Sequence, residues 1–273
     1  MKFFTRRRLR NGAILAAAVL LCLFANRILL IALRPSAIYT GCLLFVLLLG
    51  LTFINGRKKL PFLPLLKAST WVQVHVYAGF FSIFLFLVHL GFRMPNGKLE
   101  VLLALLFVVV AVSGIFGLAI SRWLPPRITR SGEPLVFERI PRYRAQLRSE
   151  VERLVEEAER RTGSSAIGDF YVEVLAPYFQ HRHGLAILVG DPARYEHRIT
   201  ARIDDFSRYL DADELATIEA LRGHIGQKRN LDFQGASQRL LKVWLFVHIP
   251  LTYSLLIVAV VHGWIALSYA GGF

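Results

Sequence analysis

The chain has 273 residues, of which 55% are hydrophobic and 19% charged, with a formal charge of +14. Apolar runs of about 20 residues exclude a purely soluble protein. The location of the positive charge excludes a nucleic-acid partner. Residues 122–239 hold 19 Lys/Arg against 18 Asp/Glu, whereas the rest of the chain holds 14 against a single acid, Glu100. Basic residues gathered at the ends of apolar runs follow the positive-inside pattern of a protein set in a lipid membrane.

In chain order, the apolar runs predict five membrane spans, over 12–33, 37–55, 70–92, 100–121 and 240–268. The expected fold class is therefore all-α, a polytopic membrane bundle of about five spans. Residues 1–121 form spans one to four, 122–239 a mostly helical cytoplasmic insert, and 240–273 the fifth span and a periplasmic C-terminus. Lys2, Arg6, Arg7, Arg8 and Arg10 place the N-terminus in the cytoplasm, and Arg57, Lys58, Lys59 and Lys67 mark a second cytoplasmic edge. Arg34, Arg93 and Lys98 lie on the far side. This orientation fits a bacterial inner membrane. The basic start and Thr5-Arg6-Arg7 also resemble a cleavable twin-arginine signal, but the apolar continuation past Arg27 favours a retained helix.

Gly56 to Pro64 reads as a cytoplasmic turn, with Ser69 as N-cap of the third span. The short loop Arg93–Lys98 makes the third and fourth spans antiparallel neighbours, and Pro125-Pro126 should end the fourth. In the insert, Tyr143, Leu147, Val151, Leu154, Val155 and Ala158 repeat at helical spacing after Pro141, with Gly163 as the stop. Ile167, Phe170, Tyr171, Val174, Leu175 and Tyr178 form a second helix, ended or bent at Pro177. Asp191-Pro192 opens a third with Tyr195, Ile199, Ile203 and Phe206 inward. Asp211 and Glu214 form a capping box for a helix to about Arg229, and from Asp232 a further helix runs into the last span. Residues 185–189, LAILV, are ambiguous between helix and a short strand.

Cys22 and Cys42 both sit in apolar segments, and no C-x-x-C or C-x-x-C-H occurs. A covalently attached haem, a four-cysteine iron–sulfur cluster and a thiol redox motif are thereby excluded within this chain.

The chemistry concentrates in histidine. His75 and His89 lie fourteen residues apart in the third span, and His248 and His262 fourteen apart in the fifth. That interval is nearly four helical turns, so the two histidines of each pair face within about 40° of each other and about 21 Å apart along the axis. A histidine in hydrocarbon needs a partner or a metal. The two odd-numbered spans run parallel, so depth pairs His75 with His248 near the cytoplasm and His89 with His262 near the periplasm. Two bis-imidazole clamps of this kind are the ligand set for two non-covalent haem b groups and a transmembrane electron path.

Supporting residues are less specific. Gly79, Gly114, Gly117, Ser113 and Gly263 could admit a porphyrin or merely close helix packing. Arg93, Arg122 and Lys242 stand where haem propionates would be paired, or where side chains snorkel to the interface. Pro250 should bend the last span. Trp71, Tyr77, Trp244, Trp264 and Tyr269 read best as an interfacial aromatic belt. His181, His183, His197 and His224 could make a metal site, but lack cysteine support and read better as solvated.

The paired H-x13-H on two spans resembles the di-haem cytochrome b superfamily. The helix order is most similar to the ferric reductase-like membrane domain of ferric reductases and NADPH oxidases. The resemblance covers the four histidines and spans 70–121 and 240–268, not the insert. It implies a bis-histidyl di-haem b cytochrome. No sixth span and no flavin- or nicotinamide-binding domain follow in these residues, and the quinol-site signature of respiratory cytochrome b is missing. The expected role is thus an electron-transfer subunit of an oxidoreductase complex rather than a complete enzyme, with no catalytic residue of its own. Its expected partners are other subunits of a membrane redox complex, a periplasmic cytochrome c above all, and a quinone is the other cofactor left open. The rival reading is a haem-free transporter or scaffold with intramembrane histidines; a metalloreductase working through exposed haem edges is a third.

Overall fold

The computed structural model describes residues 2–57, 68–130, 135–181, 184–189 and 192–270. Every regular element among them is helical. The helices are α1 (Lys2–Ile31), α2 (Ser36–Arg57), α3 (Ala68–His89), α4 (Lys98–Arg130), α5 (Ile140–Thr162), α6 (Ala166–Phe170), α7 (Ala176–Gln180), α8 (Ala186–Val189), α9 (Pro192–Ser207) and α10 (Ala212–Ala270). Five of them, α1 to α4 and α10, are long and apolar enough to cross a membrane, so the chain is an integral membrane protein. It divides into two compact units, Met1–Leu118 with Trp244–Phe273, and Ala119–Val243.

The membrane unit has a small core to which all five helices contribute. Leu44 and Leu48 of α2, Leu85 of α3, Phe107 of α4 and Leu255 of α10 are buried together, with Cys22 of α1 against them. Phe86 stacks on Phe107 at 4.1 Å, joining α3 to α4 through side chains. Asn11 of α1 donates to Gln73 of α3 at 3.3 Å, a polar tie of the kind that orders helices in lipid. Leu21, Phe24, Phe246 and Trp264 point outward and exposed, as side chains meant for hydrocarbon should.

The extramembrane unit packs α5, α6, α7, α9 and the start of α10 around Val151, Leu175, Ile203, Ile218 and Leu221. Gly163, at φ +69, caps α5 and donates its N–H to the Glu159 carbonyl, the left-handed stop expected of glycine. Tyr143, expected inward, is exposed. Phe206 stacks on Phe170 at 4.3 Å. The segment before α5 is strapped to α10: Leu135 N–H donates to Gln234 and its carbonyl accepts from Gln238.

Several expectations are corrected. Pro125 and Pro126 do not end α4, which continues to Arg130. Proline keeps a helical φ, and the Arg127 guanidinium lies 3.8 Å over the Trp123 ring, bracketing both prolines by a cation–π contact. Ser69 is inside α3, not its cap, and Gly56 and Arg57 belong to α2; Lys58, Lys59, Pro64 and Lys67 lie outside the described residues. Pro177 does not end the segment, which continues as α7 to Gln180. The helix widens just before the proline into a π-helical turn, Tyr171–Leu175, and this relieves the clash of the ring with the preceding turn. Residues 186–189 are helical, and no strand occurs among the described residues. Asp191 lies outside the described residues, though α9 does begin at Pro192. The capping box forms, with Asp211 N–H on Glu214 Oε2 at 3.2 Å. The helix it opens does not stop near Arg229 but runs unbroken to Ala270, through Pro250. The buried Lys228–Asp232 pair, one turn apart, spans the expected break.

Candidate functional site

All four histidines are half-buried in the membrane unit, and they meet in two levels. At one level the rings of His89, the last residue of α3, and His262 of α10 stand 6.4 Å apart at 85°. At the other, His75 and His248 line one cavity with an empty volume of about 690 Å³, its open side included. Lower-numbered histidine meets lower, and higher meets higher, so α3 and the last part of α10 run in the same direction. The two helices make no extended backbone contact, because α3 leans on α2 and α1 instead. At each level the two imidazoles come from different helices.

The cavity walls are apolar, with Leu48 and Leu51 from α2, Phe80 and Ile83 from α3, and Phe107 and Val110 from α4. Gly79 lines it, and a β-carbon there would meet nothing within 4 Å. Apolar walls with a few convergent polar groups are the usual make-up of a cofactor or ligand cavity.

Each outer nitrogen has a distinct environment. His89 Nδ1 lies 3.0 Å from the Ala37 carbonyl and 3.4 Å from Thr40 Oγ1. A carbonyl only accepts, so Nδ1 carries the proton and the neutral ring keeps its lone pair on Nε2. Thr40 donates its own hydroxyl hydrogen to the Ser36 carbonyl at 2.8 Å, which leaves its oxygen free to accept. His248 Nδ1 is 3.1 Å from Ser113 Oγ of α4. His75 Nδ1 is buried without a hydrogen-bond partner.

Trp244, expected in an interfacial belt, also makes specific contacts inside the bundle. Its ring stacks on His248 at 5.3 Å, and its N–H donates to the Ser113 carbonyl at 2.8 Å. Gly117 makes room for it, since a β-carbon there would overlap the indole. Gly117 thus serves Trp244, whereas a β-carbon on Gly114 would lie 3.7 Å from His248 Cε1. Gly263 has open space around it.

The expected propionate partners fall in both units. Arg93 is exposed in the turn after His89, and Arg122 is exposed in the extramembrane unit. Lys242, also in that unit, pairs with Glu138 at 2.7 Å and lies over the Phe137 ring. The hydrogen bond from Lys242 holds the Glu138 carboxyl below its ordinary range. Of the insert histidines, His183 lies outside the described residues, and His181 and His197 are exposed. No group of three or more His, Cys, Asp or Glu side chains able to hold a metal occurs among the described residues.

The contribution of α2 had escaped the sequence reading. Ala37, Thr40 and Gly41 all meet His89, and a β-carbon on Gly41 would lie 2.8 Å from its Cε1. The available signal was the Thr40-Gly41 pair, a hydroxyl and the smallest residue, inside an otherwise apolar span. Chemically, each level offers two imidazoles from different helices and little else. No protein-family profile, curated protein or solved structure matches this chain.

Proposed function

We propose that the chain is a di-haem b membrane cytochrome subunit that relays electrons across a membrane. His75 and His248 would hold one haem, and His89 and His262 the other. The observation that carries this reading is the ordered meeting of two equally spaced histidine pairs. Two imidazole nitrogens on one metal at about 2 Å each set ring centroids roughly 6 Å apart, close to the 6.4 Å between His89 and His262. Two imidazoles do not complete a metal's coordination, which is why a planar tetradentate group, rather than a bare ion, suits the site. The cavity beside His75 and His248, left open at Gly79, also favours a bulky apolar guest.

When bound, haem b would supply one-electron transfer, held by His75 and His248 at one level and by His89 and His262 at the other. The chain's own residues hold and orient. Ala37 and Thr40 fix the His89 tautomer, Ser113 and Trp244 fix the His248 ring, and the apolar walls exclude water. Such outer partners govern how firmly a ligand nitrogen is presented.

The basic edges at the N-terminus and at Arg57 support a cytoplasmic N-terminus and a periplasmic C-terminus in a bacterial inner membrane. Electrons would pass between a cytoplasmic or quinone-side partner and a periplasmic one such as a cytochrome c. The deciding experiment is a reduced-minus-oxidised spectrum of the purified chain with haem quantitation. A b-type spectrum with two haems per chain is expected; a colourless, folded protein overturns the reading.

A further inference from the structure

A second cleft lies wholly within the extramembrane unit, with an empty volume of about 460 Å³. Phe137, Ile140, Leu185 and Ala236 give it apolar walls, and Arg144 and Arg239 give it charge. The charge beside it is unbalanced. Asp232, with no exposed side-chain area, is paired both with Lys228 and with Arg144 Nη2, the latter at 2.6 Å. One carboxylate therefore meets two cations, and Arg239, two turns further along α10, adds a third. Among the described residues named here, three positive charges stand against one negative. The nearby Glu138 does not cancel it, because Glu138 is engaged by Lys242.

The guanidinium of Arg144 is held in place but not saturated. Its Nε is buried with no hydrogen-bond partner. Gly235 lets it lie against α10, since a β-carbon there would stand 3.1 Å from Nη2. A cleft with apolar walls and two guanidinium groups in its lining favours an anionic occupant.

We propose that this cleft binds a phosphate ester attached to an apolar body. Guanidinium forks match phosphate oxygens, two such groups suit phosphate better than a single carboxylate, and the apolar walls take the hydrocarbon part. The same chemistry is carried by an anionic phospholipid and by a soluble phosphorylated compound. Arg239 immediately precedes the apolar run 240–268.

The test uses the full chain in detergent, read by thermal midpoint and by retention in native mass spectrometry. The probes are inorganic phosphate, dihexanoyl phosphatidylglycerol and, as control, dihexanoyl phosphatidylcholine. Expected is saturable stabilisation by phosphatidylglycerol, by inorganic phosphate or by both. Phosphatidylglycerol alone identifies a lipid ligand, and inorganic phosphate a soluble one. Arg239→Gln should weaken binding about tenfold or more, the loss of a charge-assisted hydrogen bond. Leu185→Trp, which fills the cleft without touching its charges, should do the same while the protein stays folded. No saturable effect of either anionic probe, equal stabilisation by phosphatidylcholine, or unchanged binding in both variants overturns the proposal.

Discussion

Gly41 on α2 occupies the one size of residue that His89 permits: a β-carbon there would come within 2.8 Å of the imidazole Cε1. The contact is with the ring itself, which is held by Ala37 and Thr40 of the same helix. Gly41→Ala should therefore turn or displace His89 and leave the His75–His248 level intact. On the di-haem reading, haem content falls from two per chain towards one, and redox titration loses one wave. Two full waves in Gly41→Ala would show that His89 ligates nothing.

Ser113 tests the other level. Its hydroxyl is the hydrogen-bond partner of His248 Nδ1, while its carbonyl holds Trp244. Ser113→Ala removes only the first of these. Losing such an outer partner typically costs about 10–100-fold in metal affinity, so haem at this level should be lost more readily on dilution or to a competing apo-globin. Ser113→Thr keeps the hydroxyl and should restore retention.

In the extramembrane unit, Asp232 is shared by two largely buried cations, Lys228 and Arg144. Asp232→Ala strands both charges, and breaking a buried pair in this way costs about 3–5 kcal/mol. The thermal midpoint of the full chain, followed by circular dichroism, should fall by roughly 6–20 °C. A drop of only a degree or two would mean that water reaches the pair.

Alkaline pH probes Tyr171. Burial, reinforced by the Glu152 carboxylate that its hydroxyl meets at 3.2 Å, pushes the phenol up to about 12. The folded state thus holds this proton more tightly than the unfolded chain, where tyrosine titrates near 10. The resulting stability is fully present below pH 10 and is lost as pH rises through 12. Tyr171→Phe should be less stable than wild type at neutral pH, and the gap should narrow between pH 10 and 12. A constant gap across that window would rule out the shifted phenol.

The five long helices were legible because each apolar run is long enough to need no context. The Gly163 stop and the Asp211–Glu214 cap were legible because both are local devices. What stayed hidden depended on partners distant in sequence. Glycines 223 and 226 and Asn230 argue for a break, yet the Lys228–Asp232–Arg144 cluster carries α10 straight through. The π-helical turn before Pro177 shifts the helical register in a way that a 3.6-residue pattern does not encode. Trp244 sits near a span's end in the sequence, but its role is set by Ser113 and Gly117 on another helix. The four histidines announced themselves through equal spacing, whereas the α2 residues behind His89 follow no repeat at all.

The matched intervals also constrain how such a chain can change. Between His75 and His89, and again between His248 and His262, the helix is uninterrupted. Adding one residue to either stretch would swing one histidine by about 100° and advance it about 1.5 Å, ruining one level while sparing the other. An equal insertion in both helices would keep the depths matched, yet it would still turn the far pair off its facing edge. The two stretches therefore behave as paired gauges cut to one length. Substitutions can drift around the histidines, but insertions and deletions between them are closed to this fold unless a π-bulge absorbs the extra residue.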